Sequence, residues 1–191
     1  MDKSTHLSFI SFLEQFGALP EDVSTAIERV MQSMEFPKKH ILLKKGKVCN
    51  YLYFIQKGLA RNYFEEENKE LTNDIVLEGE ILVSFSSFIS RKPSIETIEL
   101  LEDSVLLAIH YDDLQNLYQQ FPMMERFGRM IAEHHYNSLA MKSYRLKFSN
   151  SSERYQYLFE NKIEIVKRVP IGIIASYLGM SIETLSRIRS K

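Results

Sequence analysis

The sequence predicts an α+β fold: an antiparallel β-roll between helical segments, then a long helix and a closing helix-turn-helix. Three observations predict it. Apolar residues recur three and four apart over the first 35 residues and again after Tyr111, the period of amphipathic helices. Between His40 and His110 the pattern changes to short β-branched and aromatic runs broken by single glycines. Residues 171–191 carry a small residue, a turn glycine and apolar positions at the spacing of two closely crossing helices.

In chain order, Leu7, Ile10, Leu13 and Phe16, then Val23, Ile27, Val30 and Met34, outline two short helices. Residues 17–20 separate them, with Pro20 and Glu21 placed as a helix opening expects. The runs 41–43, 51–55, 59–64, 75–77, 95–101 and 105–109 read as strands. Gly46, Gly58 and Gly79 stand between them, where a turn calls for positive φ. Many short strands so spaced suggest a sandwich or barrel-like roll. Helical spacing returns at 112–118 and over 123–148, a stretch without proline and interrupted only by Gly128. Its apolar positions include Phe127, Met130, Ile131, Leu139, Met141, Tyr144 and Phe148. A helix of roughly 35–40 Å exceeds what a small domain needs, so a partner helix in a homodimer is its natural burial site, with a long core helix as the alternative. Asn150, Ser151 and Ser152 offer N-caps for a helix containing Tyr155, Leu158 and Phe159. The expected division is a sensing domain over 1–122, a dimer helix over 123–148 and a terminal domain over 149–191.

The chain of 191 residues has a formal charge of −1, but the charge is unevenly placed. Residues 142–191 hold ten Lys or Arg against four Glu, a net +6, which leaves −7 on the remainder. A basic end beside an acidic body suits a phosphate-binding module attached to a sensor; a solvated charged face is the plainer alternative. Cys49 stands alone, which excludes an intramolecular disulfide and the usual four-thiolate cluster. His6, His40, His110, His134 and His135 lack zinc-helix spacing, so no metal or cofactor is expected. There is no run of about 18 uncharged apolar residues and no leader-like order at the start, which predicts a cytoplasmic protein without a membrane partner. Phosphate-loop, dinucleotide, nucleophile-elbow and zinc-protease patterns are all missing, and the reading is of a protein that is not an enzyme.

In the terminal motif Ile174, Ala175 and Leu178 share one face of the first helix. Gly179 takes the left-handed C-cap, Met180 fills the turn, Ser181 caps the second helix, and Leu185 and Ile188 continue the apolar stripe. The opposite face shows Ile182, Glu183, Ser186, Arg187, Ser190 and Lys191. Glu183 suits a cytosine amino group, and Arg187 suits guanine O6 and N7. The candidate DNA-contacting set is Ser181, Glu183, Thr184, Ser186, Arg187, Arg189 and Lys191, with double-stranded DNA as partner.

Three segments together resemble the Crp/Fnr family over nearly the whole chain: Tyr51-Leu-Tyr-Phe-Ile-Gln-Lys-Gly58-Leu-Ala-Arg61, Gly79-Glu80, and Ile173-Ile-Ala-Ser-Tyr-Leu-Gly-Met-Ser-Ile-Glu-Thr-Leu-Ser-Arg-Ile188. The resemblance implies a cyclic-nucleotide-binding-like β-roll (a double-stranded β-helix) that senses an effector, a dimerising helix and a head that binds a palindromic site, with RNA polymerase as a further partner. By position, Glu183 and Arg187 match base-reading residues, whereas Ile182 stands where the cyclic-AMP-responsive member has an arginine. Gly79-Glu80 matches the start of the ligand cassette, yet its phosphate-binding arginine falls near Ser94 and Ile95, where there is none. Cyclic AMP is therefore not the expected effector, since a buried phosphate would lack its bidentate partner. The implied pocket is Gly79, Glu80, Ser84, Phe85, Ser86, Arg91 and Ser94, Arg91 or Lys92 being the substitute cations. The sequence ends without the hairpin wing that usually follows the recognition helix. The competing reading is a sensor module that acts through protein contacts without binding DNA.

Overall fold

The computed structural model describes residues 3–67 and 69–190, with side chains described from Phe9 onward. Two helices, α1 (Lys3–Glu14) and α2 (Glu21–Val30), precede eight antiparallel strands. These are β1 (Gln32–Phe36), β2 (Ile41–Leu43), β3 (Tyr51–Lys57), β4 (Ala60–Glu66), β5 (Lys69–Val76), β6 (Ile81–Leu82), β7 (Glu96–Leu100) and β8 (Ser104–His110), with a short helix α3 (Phe85–Ser90) between β6 and β7. They form two four-stranded sheets, ordered β1-β8-β3-β6 and β2-β7-β4-β5, which is the expected roll. The core between them centres on Ile55, Leu82, Ile98, Leu100, Leu106 and Leu107, all inaccessible to solvent. Hydrophobic burial of this kind is the main driving force of the fold.

Gly46, Gly58 and Gly79 all adopt positive φ. At Gly58 the requirement is twofold: φ is +94°, and a Cβ would collide with Ser104 Oγ. The predicted helical stripe ending at Met34 is corrected. The second helix stops at Val30, Met31 turns extended, and Met34 lies in β1 opposite Leu106 of β8. Pairing with a core strand here outweighs an apolar spacing that a helix and a half-buried strand share. The segment Phe85–Ser90, to which the sequence assigns no element, is α3.

After the roll come α4 (Tyr111–Gln120) and the 27-residue α5 (Pro122–Phe148), opened by proline at its first turn. Gly128 is no weak interruption but a contact point, because a Cβ there would run into Tyr118 Oη of α4. The chain then folds into α6 (Ser151–Asn161), α7 (Ile163–Arg168), α8 (Ile171–Tyr177) and α9 (Ile182–Arg189). Asn150 opens α6 with a capping box: it accepts from Glu153 N, and Glu153 accepts from Asn150 N. No described helix is long and apolar enough to cross a membrane.

The terminal helices do not close a core of their own. Leu59, Ile75 and Leu101 of the roll join Leu158, Ile165, Val169, Ile174, Leu178 and Leu185 in one buried cluster. The expected boundary at residue 149 thus separates chain segments that share an interior.

Candidate functional site

α8 and α9 form the helix-turn-helix. Met180 N donates to Ala175 O at 3.0 Å and Gly179 N to Ser176 O at 3.1 Å, and Gly179 takes φ +63°. These bonds satisfy the last carbonyls of α8 in the left-handed manner the sequence predicts. Arg154 pins the turn from α6: its Nε donates to Leu178 O at 2.8 Å and its Nη1 to Ser149 O at 2.6 Å. Sequence reasoning missed Arg154, since its acceptors are backbone carbonyls that carry no residue-type signal.

Ser181 is the N-cap of α9, its Oγ accepting from Thr184 N at 3.2 Å. The Ser181 and Thr184 hydroxyls also face each other at 3.1 Å, so these two shape the helix end. Leu185 is fully buried and fixes the opposite face outward. Glu183, Ser186 and Arg187 are exposed together on that outer side, while Arg189, four residues after Leu185, is exposed at the end of the helix. Its own backbone N–H and the Ser181 hydroxyl hold the Glu183 carboxyl below the usual carboxylate range, so it is ionised at neutral pH. Lys191 lies outside the described residues.

The helix-turn-helix is clasped to the roll. Arg168 of α7 binds Glu78 through Nη1 at 2.8 Å and Nη2 at 2.7 Å, and Glu102 through Nη2 at 2.6 Å and Nε at 3.1 Å. Arg168 in turn holds Glu78 below its ordinary carboxylate value. Ser176 Oγ of α8 accepts from Thr72 N of β5 at 2.8 Å.

Between roll, α5 and head lies a cavity of about 540 Å³. Of the seven predicted pocket residues only Glu80 and Phe85 line it. Glu80 pairs with Lys162 at 2.9 Å, and Phe85 stacks on His135 with ring centres 4.1 Å apart. Ser84 and Ser94 are buried against each other, Oγ to Oγ at 3.1 Å, and Ser86 is exposed on α3. Arg91 turns away, donating to Cys49 O at 2.7 Å and Asn50 Oδ1 at 2.6 Å and covering the Tyr111 ring at 3.8 Å. Gly79 makes the turn before Glu80, and nothing fills the space where its Cβ would be. Sequence reasoning missed the α5 and head residues of the cavity, among them Lys142 and Tyr177, because the cassette pattern covers the roll alone.

Residues 33–121 match the cyclic nucleotide-binding domain family. An anaerobic regulatory protein of Pasteurella multocida is 27% identical over 164 residues, which is 79% of this chain and 59% of that protein. The chain therefore spans well under two thirds of the length of that relative. Among solved structures, the c-di-GMP-responsive global regulator CLP of Xanthomonas campestris superposes with a TM-score of 0.71 at 18% identity, over 90% of each chain. FixK2 of Bradyrhizobium japonicum gives 0.73 at 16% identity, over 84% of this chain and 83% of its own. At such identities these two structures speak for the fold. Matched domain, relatives and fold agree: residues 33–121 are similar to a cyclic nucleotide-binding domain, and the chain shares the fold of these regulators.

Proposed function

We propose that the protein is a cytoplasmic transcription regulator that binds palindromic double-stranded DNA as a homodimer. The observation that carries this reading is α9 itself: a capped helix with Leu185 buried behind it and Glu183 and Arg187 exposed one turn apart on its outer face. The guanidinium groups of Arg187 and Arg189 have no hydrogen bond or ion pair among the described residues, which leaves both for base edges or phosphates. The second supporting feature is α5, which exposes Tyr136, Met141, Tyr144 and Phe148, an apolar surface suited to a second copy. Binding RNA polymerase at a promoter belongs to the same reading.

Cyclic AMP is not the effector in this reading. Ile95 is 62% exposed, Ser84 and Ser94 close on one another, and Arg91 is committed elsewhere, so the cassette position of the phosphate arginine offers no cation. Selection of bound sequences from a random duplex pool tests the function. Recovery of a palindrome with half-site centres about 34 Å apart is expected. A pool that stays random, with no salt-dependent retention, would instead favour a module acting through protein contacts.

A further inference from the structure

The cavity between roll, α5 and head contains a buried amine that, among the described residues, has no hydrogen-bond partner. Four Lys and Arg side chains line it: Lys162 pairs with Glu80, Arg154 donates to backbone carbonyls, and Arg145 lies over the Tyr157 ring at 3.9 Å. Lys142 differs. Its Nζ is buried, lacks a hydrogen-bond partner among the described residues, and lies 4.3 Å from the centre of the Tyr177 ring. A buried ammonium with only a ring face for company is costly unless an acceptor joins it. Asp74 is in electrostatic reach without forming an ion pair, and burial pushes its carboxyl up, toward the neutral form. Much of the remaining wall is apolar, with Phe12 from α1, Phe16 from the turn after it, Phe85 from α3 and Ile131 from α5. Its volume falls in the range of small-molecule sites.

We propose that this cavity binds an apolar monocarboxylate, whose acid group accepts from Lys142 Nζ while its tail lies among Phe12, Phe16, Phe85 and Ile131. A single acid group matches the one buried Lys142 Nζ without a hydrogen-bond partner among the described residues, and the Glu80 carboxylate on the same wall disfavours a second negative charge. The site stands apart from the Ser84–Ser94 segment of the roll. It borders Tyr177 and Leu178 at the end of α8, where an occupant touches the head directly. Its role as effector rests on the DNA-binding reading above; its occupancy does not.

Calorimetric titration of the full chain with decanoate, decanol and inorganic phosphate tests the proposal. Decanoate should bind about tenfold more tightly than decanol, with phosphate alone not binding. In Lys142→Met decanoate should fall to the level of decanol, while decanol itself is unchanged. Equal binding of decanoate and decanol by the unaltered protein would overturn the proposal, and that comparison needs no variant. Phosphate binding as tightly as decanoate, or a Lys142→Met protein that keeps the preference, would overturn it as well. The duplex selection is run without carboxylate, so a failed DNA result and a failed ligand result are told apart.

Discussion

Arg187 and Arg189 leave the same eight-residue helix, yet losing each should have a different signature. If Arg187 reads guanine, Arg187→Ala costs about 1–3 kcal/mol on the preferred site and relaxes one base pair per half-site. If Arg189 touches phosphate, Arg189→Ala should weaken all duplexes alike and lower the salt slope by about one unit. Fluorescence anisotropy across a salt series separates them; an Arg187→Ala protein with unchanged affinity and preference would take α9 out of the groove. Residues whose role is local were legible from the sequence. Gly179 and Ser181 act on bonds within a few positions, and both behave as read. Arg168 was not legible, because its partner Glu78 is 90 positions away and no spacing rule connects them.

At the scale of elements, the proposed dimer rests on α5. Its exposed rings include Tyr144 and Phe148, whose centres lie 4.9 Å apart near the end of the helix. Tyr144→Glu combined with Phe148→Glu places two charges on the proposed seam, and light scattering should show twice the chain mass reduced to a monomer. A variant that stays dimeric would move the interface elsewhere. The strands were legible where glycine turns frame β-branched runs, as at Tyr51–Lys57. β1 was not, since its Met34 also fits the helical spacing of α2; only its pairing with β8 decides between them. α3 was hidden for a related reason, its Phe-Ser composition having weak helical preference. The interdomain cavity could not be read at all, because its wall is assembled from five or more elements distant in sequence.

For the whole molecule, two titrations set the response to acid. Burial lowers the His135 imidazole below its ordinary 6.5, although Asp74 opposes the shift and His134 adds to it. The unfolded chain therefore binds the proton first, and stability falls as pH drops below about 6.5. Arg168 lowers Glu78 from its ordinary 4.5, so the stability from that pair is present above 4.5 and is lost as pH falls through the depressed value. Melting temperatures followed from pH 8 to pH 3 should show two separate declines. His135→Gln should flatten the upper one alone and Arg168→Gln the lower one alone; an upper decline that survives His135→Gln would assign it to another group.

The interior shared between head and roll bears on how such proteins can be recombined. Because Leu59, Ile75 and Leu101 complete the packing around Leu158, Ile174 and Leu185, the head is not a cassette that can be exchanged at residue 149 without regard to its new host. A chimera grafting residues 149–191 onto a foreign roll should be soluble only if the host offers apolar side chains at those three places and carboxylates where Glu78 and Glu102 meet Arg168. Inheritance of a new DNA specificity would then travel through substitutions on α9 more readily than through transfer of the whole head.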